Sequence, residues 1–293
     1  DQTCVNKFSG PHITPELFAL QCNAWKAEMG FSGSILEQLW HFFHAILPFP
    51  KTLCRVSLDS MSLTYTVSDC RNFVIDLGKI SDLPGVEDGL YVIDYMLPRM
   101  GVSFKIGIIA VVLELGLGYP IGVLMAKYKD GIFDKAVLGY IISIDAIPGV
   151  AYYYIWMAIL CGLLGLPRAY TADNFLSWLP AILTMGFTGM AGIAMWVRRF
   201  MVDEFTSDYV KFARAKGLSE NRIMFTHVLR NAIVPLVRSI PAAIIGALLG
   251  TYFLENIYSI NGIGAALLVA NNTNNAMLLQ AIIIISALLS IIS

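Results

Sequence analysis

The sequence predicts an all-α polytopic membrane protein, with about five transmembrane helices in its 293 residues and a mixed α/β extracytoplasmic region ahead of them. Three observations lead there. Hydrophobic residues make up 57% of the chain, charged residues only 14%, and mean hydropathy is +0.66, too apolar a balance for a soluble protein of this length. The apolar residues fall into separate runs of spanning length, without the alternating ~10-residue segments of a barrel. Charge is unevenly spread: Asp1 to Gly101 holds seven Lys/Arg and eleven Asp/Glu, whereas Arg198 to Arg230 holds seven Lys/Arg and four Asp/Glu, which places the second stretch on the cytoplasmic side.

Residues 1–98 have a globular character. Ile13 to Met29 and Ser34 to Leu47 read as helices, the second opened by Ser34 with Glu37 three residues on, a capping-box pattern. Lys51 to Val67 alternates apolar and polar residues and reads as one or two strands, and Pro84, Gly85 and Gly89 mark turns. Cys4, Cys22, Cys54 and Cys70 lie in this region, where four thiols can pair in three ways; an external location permits a disulfide without requiring one. His41 and His44 stand three apart on the second helix, but no Cys or carboxylate completes a metal set, so they read as ordinary histidines beside Trp40, Phe42 and Phe43.

The transmembrane part, 99–293, opens with Val102 to Ala126, where 25 residues at ~1.5 Å rise exceed the ~30 Å hydrocarbon core. Lys127, Lys129 and Lys135 follow on the inner side. The second span covers Ala136 to Leu160, interrupted by Asp145 and Pro148-Gly149, and Gly162 to Ser177 is an external loop. Trp178 to Val197 is the third span, with a tryptophan at either end, and its Gly186, Gly189, Ala191, Gly192 and Ala194 predict close helix packing, within the chain or against another subunit. Ile233 to Leu254 is the fourth span and Ala276 to Ser293 the last. Between them, Glu255 to Asn275 reads as a polar, Asn-rich external loop. An acidic first hundred residues outside the membrane call for an upstream span or signal, and the far end stops inside an apolar run. A fragment is therefore expected, with about six spans in the full chain.

No G-x-x-x-x-G-K-[ST] loop, H-E-x-x-H motif or G-x-S-x-G elbow occurs, so no catalytic residue, no metal site and no ATPase of its own is expected. A net charge of −1 gives no reason to expect a nucleic-acid partner; the surrounding lipid is the expected one. Glu114 and Asp145 are intramembrane acids. A carboxylate at mid-bilayer costs roughly 2.5 to 3.5 kcal/mol, so such groups are neutralised by a neighbouring helix or partner subunit, or line a translocation path. Pro120, Pro148 and Pro241, each with glycines nearby, can break helices to build a binding site.

The residues that organise the rest are Asp208 to Val237, DYVKFARAKGLSENRIMFTHVLRNAIVPLV, within the cytoplasmic loop 198–232. They read as a helix capped by Ser207 or Asp208, a left-handed Gly217, and a second helix capped by Ser219 with Glu220. Such order, with an apolar set of Ile223, Met224 and Val228, exceeds what a solvated basic loop requires and suits a helical elbow that docks into a partner's groove.

At Tyr209-Val210-x-x-Ala213-Arg214-Ala215-Lys216-Gly217-Leu218-Ser219 and His227-x-Leu229-Arg230-Asn231-Ala232-x-x-Pro235-Leu236 the chain resembles the cytoplasmic loop of ABC importer permeases of the oligopeptide/dipeptide branch. The resemblance extends to Gly118-Tyr119-Pro120-Ile121-Gly122, to Asp134 and to ENIYSINGIG from Glu255 to Gly264, covering roughly Tyr95 onward. The first ninety residues are similar in size to the enlarged external insertion of some Gram-positive first-permease subunits. The resemblance implies an ATPase-coupling loop at Tyr209, Ala213, Arg214, Ala215, Lys216, Gly217, Leu218, Arg230, Asn231 and Pro235. Ala213 and Gly217 fall at the motif's second alanine and its glycine, while Lys211 and Phe212 replace its acidic residue and first alanine. It also implies a second permease subunit, two cytoplasmic ATPase subunits that bring the ATP, an external substrate-binding lipoprotein, and oligopeptides as cargo. Dipeptides, nickel or glutathione are alternative cargoes of the same branch. A rival of another class is a proton-driven secondary transporter working through Glu114 and Asp145.

Overall fold

The structure, a computed structural model, describes residues 14–28, 32–47, 50–59, 64–73, 75–80, 83–87, 89–249 and 252–292. It is predominantly helical and divides into two compact units, Asp1–Ile93 with Asn275–Ile284, and Asp94–Asn274 with Ile285–Ser293.

In the first unit, α1 covers Pro15–Glu28 and α2 Ile35–Ile46. The capping box is present: the Glu37 amide donates to Ser34 Oγ, and the Ser34 amide donates to the Glu37 carboxylate. The alternating stretch forms two antiparallel strands, β1 (Lys51–Asp59) and β2 (Thr64–Phe73), with a register shift between Cys54 and Arg55. Cys22 and Cys70 each take part in a disulfide; Cys4 lies outside the described residues. Tyr91 is buried, its ring 5.0 Å from that of Phe73 with Arg71 and Lys79 over it. The ring of His44 lies 6.5 Å from that of Trp40, and no group of His, Cys, Asp and Glu suited to a metal ion occurs among the described residues.

The second unit is built on two long helices, α3 (Val92–Lys127, its first two residues belonging to the first unit) and α6 (Leu179–Phe205). Alone among the described helices they are long and apolar enough to cross a membrane. A third span is formed if the bent pair α4 (Ile132–Ala146) and α5 (Gly149–Met157, continued by a π turn Ala158–Leu163) is counted as one, with a bend of 114°. Pro148 accounts for the bend, since its ring fixes φ and supplies no amide donor to the helix. Pro120, by contrast, sits inside an unbroken α3, and Pro241 stands in the first turn of α9, where its missing N–H breaks no intrahelical bond.

The expected fourth span is not one helix. Residues 229–249 form α8 (Leu229–Val237) and α9 (Ser239–Leu249). The expected external loop is also largely helical, as α10 (Tyr252–Ile257) and α11 (Ile263–Asn272). Its asparagines conceal an apolar set: Leu254, Ile257, Tyr258 and Ile260 pack with Ile106, Ala181 and Ile182 as a core. Finally, α12 runs Ala276–Ile292, and Asn275 Oδ1 caps it by accepting from the Leu278 amide.

Glycine brings α3 and α6 together. A Cβ on Gly118 would fall 2.6 Å from Ile193 Cβ, one on Gly122 would fall 2.7 Å from the Ala194 carbonyl oxygen, and one on Gly186 would fall 2.3 Å from Leu113 Cδ2. The small residues of α6 thus serve a contact within this chain, with backbones in close approach. On another side, Ala191 and Ala194 meet Met125 and Ile141.

Candidate functional site

The elbow begins where α6 ends at Thr206. Helix α7 (Asp208–Ala215) has Ser207 at its N-cap, but the serine hydroxyl donates back to the Glu204 carbonyl and makes no capping bond to α7. The first turn is served electrostatically by Asp208, which pairs with Lys211 at 2.7 Å. At the other end Gly217 has φ +77°, and the Leu218 amide donates to the Ala213 carbonyl at 3.2 Å, a Schellman closure. Leu218 packs on the cluster that contains Ala213, the apolar contact that accompanies this closure. Nothing lies within 4 Å of where a Cβ on Gly217 would stand, so glycine is required there by backbone conformation and not by space.

The return arm starts at Glu220–Arg222, with Ser219 in extended conformation at its N-cap and again no side-chain bond. A π turn, Ile223–Val228, leads into α8. The five-residue periodicity of that turn places Ile223 and Val228 on one side with Met224, and all three are buried. They join Val210, Ala213 and Ala232 of the elbow, Val123 and Ala126 of α3, and Val197 and Met201 of α6 in one core. The elbow's underside is therefore seated on the C-terminal ends of both long helices.

Its outer face is different. Phe212 (69% exposed) and Phe225 (54%) stand out among exposed Lys211, Ala215, Lys216 and Arg222. Arg214 lies across the glycine joint and grips Glu220 through Nε at 2.7 Å and Nη2 at 3.1 Å, holding that carboxyl below its ordinary range. Tyr209 donates to the Glu204 carboxylate and bonds to Asn231, which links α7 to α8; partial burial, then Glu204, pushes its hydroxyl above the usual tyrosine range. Arg230 and Pro235 are exposed on α8. The ten residues expected from sequence thus fall in one elbow, with Ala213 inside its core and the others at its joint, rim or outer face.

Two polar clusters had no part in the sequence reading as sites. Asp134, 1% exposed, accepts from Arg198 Nε at 2.6 Å and Nη2 at 2.7 Å and from the Asp130 amide at 2.9 Å, tying the start of α4 to α6 beside the elbow. Farther along, buried Glu255 accepts from Ser103 Oγ at 2.7 Å and from the Ala265 amide at 3.1 Å, while Ser103 Oγ accepts from the Ile263 amide at 2.9 Å. A carboxylate and a hydroxyl thus satisfy the free amides that begin α11. Burial pushes the Glu255 carboxyl up, against these bonds. Nearby, Tyr258 and Thr184 share a buried hydroxyl bond of 2.8 Å.

Glu114 and Asp145 are not brought together. Asp145 is exposed near the end of α4, whereas Glu114 is half-buried on α3 with its carboxyl against Gly189 of α6; no hydrogen bond or ion pair joins the two.

Residues 118–293 match the family profile described as binding-protein-dependent transport system inner membrane component. The chain is 36% identical over 205 residues, 68% of its length and 41% of the relative's, to the oligopeptide transport system permease protein AmiC of Streptococcus pneumoniae. It is 31% identical over 175 residues, 59% of its length and 57% of the relative's, to the dipeptide transport system permease protein DppB of Lactococcus lactis subsp. cremoris. The chain thus spans less than two thirds of the length of either. Among solved structures, an amino acid ABC transporter shares 16% identity and a TM-score of 0.47 over 68% of this chain and 92% of that one, a likeness too low to carry an argument.

Proposed function

The chain belongs to the binding-protein-dependent transport system inner membrane component family, and from that premise we propose that it is a permease subunit of an ATP-binding-cassette importer of oligopeptides. One observation carries the reading: the elbow is a compact helical device, seated by its apolar underside on the two long helices, with an aromatic and basic outer face left for a partner. The partners are a second permease subunit, two cytoplasmic ATPase subunits that supply ATP hydrolysis, and an external substrate-binding lipoprotein. No cofactor is bound by this chain itself. Oligopeptide is preferred to dipeptide because the higher identity is to an oligopeptide permease. The proton-driven rival is disfavoured, since a relay through Glu114 and Asp145 needs polar groups linking them.

Residues 1–98 belong outside the cytoplasmic membrane, a reading supported by the acidic balance of this stretch and by the disulfides of Cys22 and Cys70.

Substitution at Gly217 tests the elbow. Gly217→Val forces a β-branched residue to φ +77°, at a cost of roughly 1–2 kcal/mol, without any steric contact. In the reconstituted complex it is expected to lower peptide uptake and transport-stimulated ATP hydrolysis together, while Gly217→Asn, which tolerates the left-handed region, retains most of both. Unchanged coupling in the valine variant refutes the assignment.

A further inference from the structure

Helix α2 presents its apolar side outward. Ile35, Leu36, Leu39, Trp40, Phe43 and Leu47 are all exposed, Leu36 at 78% and Trp40 at 66%, whereas the half-buried side carries Gln38, Phe42 and Ala45. At 3.6 residues per turn the six exposed apolar side chains share an arc of about 140°, and Glu37, His41 and His44 fall outside it. A helix on the surface of a globular region ordinarily does the reverse and buries its apolar stripe. Both ends of α2 are nevertheless fixed: the Ser34 capping box holds the start, and Lys51 Nζ holds the end by donating to the Ala45 and Leu47 carbonyls at 2.6 and 3.0 Å. An apolar face of this extent on a well-anchored helix calls for a further surface to cover it.

Hydrogen bonds within the first unit point to which surface that is. The Asp76 amide donates to the Ala45 carbonyl at 3.0 Å, and the Gly78 amide donates to Asp76 Oδ1 at 2.8 Å. The Gly78 carbonyl accepts from the amide of Val92, the first residue of α3, at 3.1 Å, and a Cβ on Gly78 would stand 3.3 Å from Sδ of Met277, in the first turn of α12. The end of α2 is therefore tied, through three residues, to the place where two apolar helices begin. Because α12 is apolar from its first turn, that place lies at the rim of the bilayer. The make-up of the face agrees: it is uncharged, with tryptophan and phenylalanine among aliphatic residues, as at a membrane–water boundary. Protein partners that come and go use faces no more apolar than the average surface.

We propose that α2 lies along the outer surface of the bilayer and sinks its apolar face into the boundary between lipid headgroups and acyl chains, anchoring residues 1–98 to the membrane. The choice of leaflet rests on the external placement of these residues; the cargo plays no part in it. The flank of the face holds Glu37, His41 and His44 and no Lys or Arg, so the attraction is hydrophobic and zwitterionic lipid suffices for it.

The test uses the complete complex in phosphatidylcholine nanodiscs that include a phosphatidylcholine with a photoactivated diazirine near the carbonyl end of one acyl chain. After irradiation, peptide mass mapping is expected to find label on α3 and on the apolar face of α2 but not on His41 or His44, and adding phosphatidylglycerol is expected to leave the α2 label unchanged. Leu36→Glu combined with Trp40→Glu is expected to lower the α2 label at least about tenfold, since the loss of even one buried side chain of this size is worth that much. Retention of the Cys22 and Cys70 disulfides shows that the variant is folded. Label on α3 without label on α2, label that requires phosphatidylglycerol, or label unaffected in the folded double variant overturns the anchor. An unlabelled α2 whose Trp40 is shielded from oxidation only when the external lipoprotein is added puts a protein on the face instead, and overturns it equally. Protease added to intact cells checks the leaflet separately: cleavage within residues 1–98 only after permeabilisation, with α2 still labelled, refutes the external placement and with it the outer leaflet.

Discussion

At the scale of the residue, the clearest energetic commitment is the Asp134 carboxylate, which has given up water for Arg198 and one backbone amide. Removing the cation leaves that charge buried. Arg198→Ala should therefore cost about 2–3 kcal/mol, toward the lower end for a broken buried pair because Arg198 itself keeps some solvent contact. Thermal unfolding of the purified protein in detergent checks this, and Arg198→Lys should recover only part of the loss, since an ammonium cannot reproduce the two-pronged contact. Neither residue could be paired from sequence, as they stand 64 positions apart and each looks like an ordinary charge at a membrane edge. The same holds for Ser103 and Glu255, separated by 152 positions. Gly217 was legible because its role is local: a glycine between two helical segments has few other uses, whereas the side-chain caps expected of Ser207 and Ser219 do not form.

At the scale of the element, the long helices were readable because hydropathy acts over many residues, and the structure extends α3 and α6 beyond their apolar cores into polar flanks. The stretch from Glu255 to Asn275 was misread for the converse reason. Polar side chains count against helix and burial in a sequence, but here Glu255 and Asn275 are buried and bonded, and Tyr258 satisfies its hydroxyl on Thr184. The α3–α6 contact gives a sharp prediction. Gly122→Leu would place a Cβ 2.7 Å from the Ala194 carbonyl, backbone that cannot step aside, so the purified variant should lose at least about 1–3 kcal/mol in thermal unfolding. Gly116→Leu on the same helix meets nothing within 4 Å of its Cβ and should unfold near the wild-type temperature.

At the scale of the whole molecule, composition established a membrane protein with an appended acidic region, whereas the number and straightness of its crossings depend on breaks that hydropathy averages away. The 114° bend between α4 and α5 is one such break, visible in sequence only as Pro148-Gly149. The cysteines were equally undecided, because pairing requires knowledge of which strands and helices meet. Their states now give a prediction about the chain as a whole. Alkylation of the denatured, unreduced protein should modify Cys161 and spare Cys22 and Cys70, while prior reduction should expose all three to the reagent; peptide mass mapping distinguishes the outcomes. Modification of Cys22 and Cys70 without reduction would contradict both the disulfides and the external placement that they support.

The glycine interlock of α3 with α6 has a mechanical consequence. Two rods meshed at Gly118, Gly122 and Gly186 cannot slide past one another by a fraction of a turn without collision, and both enter the same core under the elbow. A push delivered there is transmitted as displacement of one rigid strut. Flexibility within this unit then falls to the breaks between its helices, of which the kink at Pro148 is the most sharply drawn.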